Sequence, residues 1–212
     1  MLNGALVHDF TTKENFFINL INSKSMSEII STIKSHDIPC IIHYITIYEY
    51  ITLCQAKNEC DIPDFIKVRL NPLNTHIVKN LSKAPKYNAL AVWPYVFNTY
   101  ENVKEIYHDF SKIPGVYVVM NEFDGKYEID ICSDSTNKGN SVEYLRNEYG
   151  YGHVIGFGDN FNDLPLFEAC DIKVAVANAH PDVKAAADFI CGTNETDGVV
   201  RWILEYLENR VK

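Results

Sequence analysis

Residues 158–163, Gly158-Asp159-Asn160-Phe161-Asn162-Asp163, set two carboxylates and two side-chain amides within one short stretch. An apolar run, residues 153–157, precedes it, and a helix-like run from Leu164 follows, so the pattern is a strand delivering acidic side chains to a loop. Glycine allows a sharp turn there, a carboxylate such as Asp159 at a strand end can offer oxygens to a hard cation such as magnesium, and Asn162 can cap the helix that follows. The same residue types also favour ordinary turns. Taken alone, the loop leaves a metal site and a plain turn equally open.

The elements around the loop must position it. Asn137 or Ser141 can cap a helix carrying Val142 and Leu145; residues 153–157 read as a strand, 164–169 as a helix with Pro165 in its first turn, and 172–177 as a strand. Pro181 then opens a helix through Ala187, residues 189–191 form a short strand, and Val200, Ile203, Leu204, Leu207 and Val211 mark the buried face of a closing helix. Such alternation predicts a parallel sheet covered by helices. Residues 25–131 differ. Ser25 with Glu28 suggests a capping box ahead of Met26, Ile29, Ile30 and Ile33; residues 40–47 read as a strand; Asn98 with Glu101 repeats the capping pattern ahead of Val103, Ile106, Tyr107 and Phe110. Residues 116–120 and 127–131 flank Asp124-Gly125, a hairpin signal, which makes this stretch an α+β module. Residues 56–85, with Pro63 and Pro72, give the least legible pattern, and no internal repeat or low-complexity segment stands out.

Composition narrows the class. The 212 residues suffice for one large domain or two small ones, and 47% hydrophobic with 22% charged residues is ordinary for a water-soluble protein. No apolar run approaches the ~20 residues needed to span a bilayer, and the start shows no basic region or cleavage pattern, so the expected location is cytoplasmic with no membrane partner. A net charge of −9 without a basic patch argues against nucleic-acid binding. The six cysteines include no CxxC pair and read as buried thiols rather than a zinc site or disulfide framework.

Four separated motifs carry a family resemblance. Lys138-Gly139 at a helix start, residues 158–163, Ala177-Asn178-Ala179 with Val183, Lys184, Ala186, Ala187 and Asp188, and Asn194 with Asp197-Gly198-Val199 resemble the haloacid dehalogenase (HAD) superfamily, in its Cof-type sugar-phosphatase branch. The opening Asn3-Gly4-Ala5-Leu6-Val7-His8-Asp9 is similar to the segment that precedes the cap in that branch. The resemblance implies an α/β fold: a partial HAD Rossmann-like parallel-sheet core with an inserted α+β cap domain. The expected layout is a remnant of the N-terminal core half over 1–14, the cap over 15–131, and the C-terminal core half over 132–212.

In such enzymes an aspartate attacks phosphorus, a second aspartate two positions on acts as acid and base, and magnesium offsets charge on the transferring phosphoryl group. By resemblance, Asp159 is a magnesium ligand, Asp163 supports the metal directly or through its neighbours, Lys138 holds the phosphate and balances charge, and Asn162 and Asn194 orient phosphate or loop. Plainer readings stand beside each: a solvated helix-start lysine, turn-forming Asn178 and Asn194, a helix entry at Asp197-Gly198, and packed core histidines at His43 and His153. Trp93 and Tyr95 fit burial in the cap sheet better than a sugar pocket.

The aspartate-x-aspartate motif of the family is absent from these residues. Asp9, followed by Thr11, is a poor substitute, since the usual glycine is missing and no helix and second strand separate it from the cap. The resemblance therefore implies an N-terminally truncated, inactive phosphatase of small phosphorylated metabolites such as sugar phosphates, with magnesium bound weakly or not at all. The alternative is a non-catalytic binding or interaction protein that retains the fold. Missing strands would leave the strand at 153–157 with a bare edge, so a homo-oligomer covering it is expected.

Overall fold

The computed structural model describes residues 2–46 and 49–209, Phe65 by its backbone alone. The sequence-predicted positions Ile47 and Val211 lie outside the described residues. The chain divides into two compact units, Met1–Thr136 and Asn137–Lys212.

The first unit opens with an antiparallel ribbon, β1 (Leu6–His8) and β2 (Asn15–Ile18). Asp9 follows β1, and its Oδ1 accepts a hydrogen bond from the Thr11 amide at 2.7 Å, so its carboxylate serves the turn of this ribbon. Beyond it, α1 (Ser23–Ser35) leads to β3 (Cys40–Ile45) and β4 (Tyr50–Gln55). A short helix α2 (Asp64–Lys67) and β5 (Thr75–Val78) occupy the stretch that was least legible, followed by β6 (Ala89–Pro94), α3 (Tyr100–Ser111), β7 (Val116–Phe123) and β8 (Lys126–Ser133). Six strands form one sheet in the order β5-β4-β3-β6-β8-β7. The β7–β8 hairpin turns at Asp124-Gly125, both at positive φ, as the dipeptide predicts.

Strand alternation gives this sheet two faces. One face buries Ile42, Val92, Val118, Ile129 and Ile131 beneath α1 and α3, whose Met26, Ile29, Ile33, Val103 and Phe110 recur at helical spacing and are buried. Each such aliphatic side chain contributes roughly 1.5–3 kcal/mol. The other face packs Ile41, Cys54 and Trp93 against Ile62 and Ile66 of the α2 segment. Farther along that face the buried residues turn polar: His43, Thr52, Asn121, Glu128 and Asp130.

Two helix starts differ from expectation. Asn22, not Ser25, caps α1, its Oδ1 accepting from the Ser25 amide at 2.9 Å, while the Ser25 hydroxyl donates to the Pro114 carbonyl at 2.5 Å. Thr99 is the residue preceding α3, and Asn98 instead accepts from the Thr99 amide and the Asn102 side chain. Ser, Thr and Asn compete for the same local backbone donors, and tertiary contacts decide between them.

The second unit is a three-stranded parallel sheet, order β11-β10-β9, built from β9 (Ile155–Gly158), β10 (Ile172–Val176) and β11 (Phe189–Cys191). Helices α4 (Lys138–Tyr149), α5 (Leu164–Glu168), α6 (Pro181–Ala185) and α7 (Gly198–Glu208) alternate with the strands. Asn137 caps α4, accepting from the Asn140 amide at 2.7 Å. Among the described residues β9 pairs on one side only. The predicted buried face of α7 is corrected: Val200, Ile203, Leu204 and Leu207 are exposed, whereas Val199 and Trp202 pack on the sheet. The Trp202 ring lies 5.5 Å from that of Phe157 and 5.8 Å from that of Phe189, and an aromatic anchor of this size outweighs single aliphatic contacts in choosing the buried face.

The cysteines are free, and all but Cys60 are buried. His43 is a core histidine as expected, with Nδ1 2.5 Å from the Tyr50 hydroxyl and 3.2 Å from that of Thr52. His153 is not: its side chain is exposed, with Nε2 3.4 Å from the Tyr206 hydroxyl.

Candidate functional site

The carboxyl ends of parallel strands are where open α/β sheets bind ligands, because loops with free backbone groups gather there. In the second unit three loops leave these ends: residues 159–163 after β9, 177–180 after β10, and 192–197 after β11. Every site residue anticipated from the sequence, apart from Lys138, lies on them. Lys138 is the first residue of α4, and the close approach of that helix to α5 brings it to the first loop. A Cβ on Gly139 would stand 2.3 Å from the Pro165 carbonyl oxygen, so only glycine allows this contact.

Asp163 organises the loop. It is buried, and Lys138 Nζ donates to its Oδ1 at 2.5 Å. Its Oδ2 accepts from the backbone amides of Asp159 at 2.8 Å and Asn160 at 3.3 Å. Asn160 reciprocates, its side chain accepting from the Phe161 amide at 2.9 Å and closing a capping box over the single 3-10 turn Phe161–Asp163. The capping role expected of Asn162 thus belongs to Asn160, because it is Asn160 that stands three residues before an acidic side chain. Asn162 itself sits half-buried within the turn. The N-x-x-D spacing was the available signal, and it points to Asn160.

With both Asp163 oxygens occupied, the carboxylate of Asp159 is the acidic group of this loop left facing solvent. Partial burial, foremost, and the negative charge of Asp163 next hold the Asp159 carboxyl above the usual carboxylate range; Lys138 opposes that rise. The loop's other anchor is the Asp159 carbonyl, which accepts from the His180 amide at 2.9 Å. Asn194 lies on the third loop and pairs with the second: Asn178 Nδ2 donates to Asn194 Oδ1 at 3.0 Å, and the Asn194 amide donates back to Asn178 Oδ1 at 3.4 Å. The two asparagines fasten these loops to each other.

Among the described residues no group of three or more His, Cys, Asp or Glu side chains converges as a metal cage. Magnesium is commonly held by one or two carboxylates with waters and substrate oxygens, and an exposed Asp159 in contact with the Asp163 carboxyl, beside an anchored lysine, fits that partial shell.

Gly158 sets how tightly the loop folds. A Cβ there would stand 2.6 Å from the Asp163 Cβ, so Gly158→Ala should push Asp163 off Lys138 and destabilise the chain by about 1–3 kcal/mol. Urea denaturation reads this directly, and an unchanged midpoint and slope would contradict the packing described.

The family model for haloacid dehalogenase-like hydrolases matches residues 1–203. The chain is 24% identical to the pyridoxal phosphate phosphatase of Escherichia coli K12 over 211 residues, 97% of this chain and 75% of that protein. It is 33% identical to a phosphoglycolate phosphatase of Sulfurisphaera tokodaii over 135 residues, 63% of this chain and 58% of that protein. Among solved structures, a protein of Streptococcus mutans UA159 superposes with a TM-score of 0.77 at 20% identity, covering 97% of this chain and 75% of that one. A subclass IIB sugar phosphatase of the superfamily superposes at 0.73 with 21% identity, covering 96% and 73%. With the strand-end loops, the sheet order and this match over nearly its whole length, the chain belongs to the haloacid dehalogenase-like hydrolases, in their Cof-type branch.

Proposed function

We propose that the second unit is the metal- and phosphate-binding half of a magnesium-dependent phosphatase of small phosphorylated metabolites such as sugar phosphates. The observation that carries this reading is the joined set Lys138–Asp163–Asp159: a buried carboxylate holds an ammonium and two loop amides, and leaves a second carboxylate facing outward. Lys138 supplies positive charge for phosphoryl oxygens, Asp163 fixes its position, and Asp159 is the metal ligand. Bound magnesium would neutralise charge on the phosphoryl group. Asn194, through Asn178, holds the neighbouring loops, and Asn162 orients phosphate or its own loop by hydrogen bonding. The relatives named as phosphatases of pyridoxal phosphate and phosphoglycolate support the substrate class.

No aspartate among the 212 residues is followed two positions later by another. In this reading the chain by itself binds but does not turn over. A generic aryl phosphate with magnesium tests it: turnover should not exceed that of a matched Asp159→Asn chain, and turnover well above that control overturns the inactive reading. Magnesium should still raise the melting temperature of the unaltered chain and fail to do so for Asp159→Asn; an equal response in both removes Asp159 from the metal site. Among the described residues β9 pairs on one side only, which favours a homo-oligomer, and a monodisperse monomer in sedimentation would count against it.

A further inference from the structure

The six-stranded sheet of the first unit carries a cavity of about 550 Å³ at the end where β4 and β5 stop and β3 begins. This is the strand end opposite to the one at which β8 finishes and the chain leaves the unit. Its size lies within the ~300–1,000 Å³ typical of small-molecule sites. Three lysines from three different elements line it: Lys34 in the last turn of α1, Lys57 just past β4 and Lys79 just past β5. None of the three makes an ion pair or side-chain hydrogen bond among the described residues, whereas Lys67, Lys104, Lys112 and Lys138 each pair with a carboxylate.

Two carboxylates share the wall, Asp37 and Asp61. Asp61 is committed to its own turn, accepting from the Asn58 amide at 3.0 Å and from its side chain at 3.2 Å. The three exposed lysines gather positive charge at the cavity mouth, and a bound anion offsets it. Gln55 adds a second, independent requirement. Its Oε1 is buried without a hydrogen-bond partner, and an acceptor in that state calls for a donor. A bare phosphate cannot serve Gln55 Oε1 well, because at neutral pH it offers acceptors chiefly; a hydroxyl on a carbon skeleton can donate to it once the Gln55 side chain, which lines the cavity, turns its oxygen inward. Ile33, Ile38 and Leu81 supply apolar wall for such a skeleton.

We propose that this cavity binds a small phosphorylated polyol, its phosphate on Lys34, Lys57 and Lys79 and a hydroxyl on Gln55. It is a second site, separate in residues from the strand-end loops of the other unit, and it does not depend on the phosphatase reading.

Thermal unfolding of the full chain with sorbitol 6-phosphate, and separately with pyrophosphate, tests the assignment. Sorbitol 6-phosphate should raise the melting temperature of Lys138→Met, relative to its own baseline, so that the shift is read with the strand-end site disabled. Adding K34A/K57A/K79A to Lys138→Met should abolish that shift, and each single lysine change added to it should weaken it, which covers a combined variant that folds poorly. Gln55→Leu in the same background should weaken sorbitol 6-phosphate binding several-fold while leaving pyrophosphate unaffected. No shift in Lys138→Met, or a shift there that survives the lysine changes, overturns the site. Equal binding of both probes with no effect of Gln55→Leu overturns the polyol and leaves a simple anion site.

Discussion

Replacing Asp163 by alanine should cost about 3–5 kcal/mol of stability, the range seen when one partner of a buried ion pair is removed. Its side chain is 5% exposed and that of Lys138 is 31% exposed, so the substitution strands a half-buried ammonium without its counter-charge. It also removes the carboxylate oxygen to which the Asp159 and Asn160 amides donate. The urea midpoint should fall accordingly, and the 159–163 loop should lose amide protection. The double change Lys138→Met with Asp163→Leu should recover much of the loss, since both charges then vanish together. A single variant as stable as the parent would mean that Asp163 does not organise the loop.

Asp130→Asn should act in the opposite direction at neutral pH and raise stability by up to roughly 3 kcal/mol, at about 1.4 kcal/mol per pKa unit. Asp130 is buried on the polar part of the six-stranded sheet, its Oδ2 accepting from Asn3 Nδ2 at 2.8 Å and Asn121 Nδ2 at 3.2 Å. Burial, above all, pushes its carboxyl up to about 6, and the nearby charge of Glu128 adds to the rise. The folded pKa exceeds the unfolded one, so the folded chain binds more protons between about pH 4 and 6, and stability falls as pH rises through that window. His43 does the reverse. Burial lowers it to about 3, the unfolded chain binds more protons between about pH 3 and 6.5, and stability rises with pH there. The two slopes oppose each other over their shared range, so the parent should be nearly flat from about pH 4 to 6. Asp130→Asn should expose the histidine's slope, about 1.4 kcal/mol per pH unit. Equal pH profiles for parent and variant would show that Asp130 is not protonated in the fold.

The loop of residues 158–163 and the lysine ahead of it were readable because glycine, acid and amide types recur there in an order few structures need. The alternation of strands and helices around them was readable because each element buries an apolar stripe of its own period. What the sequence concealed was settled by tertiary contact. Helix α7 is apolar around much of its circumference, so spacing alone chose Ile203 and Leu204, whereas the sheet chose Trp202. Asn22 and Ser25 were equally good caps until Pro114 took the serine hydroxyl. Residues 56–85 resisted reading because β5 is only Thr75–Val78 and α2 only Asp64–Lys67, each too short to show a period. Asp130 looks like a surface acid in a strand, and only the packed sheet reveals that it is buried. Lys34, Lys57 and Lys79 are unremarkable apart, since nothing local announces that three separate elements end at one cavity.

The strand order β5-β4-β3-β6-β8-β7 has a kinetic consequence. At its flanks are two sequence-local hairpins, β3–β4 and β7–β8, which can zip by short-range closure. Between them stands β6, whose partners on both sides lie roughly 40 to 50 residues away along the chain, and such distant pairs cost closure entropy before any contact repays it. Ala89, Leu90, Ala91 and Val92 of β6 are wholly inaccessible to solvent in the finished sheet. The arrival of this one strand therefore governs how fast the larger unit folds, and until it arrives the inner edges of both hairpins stay open.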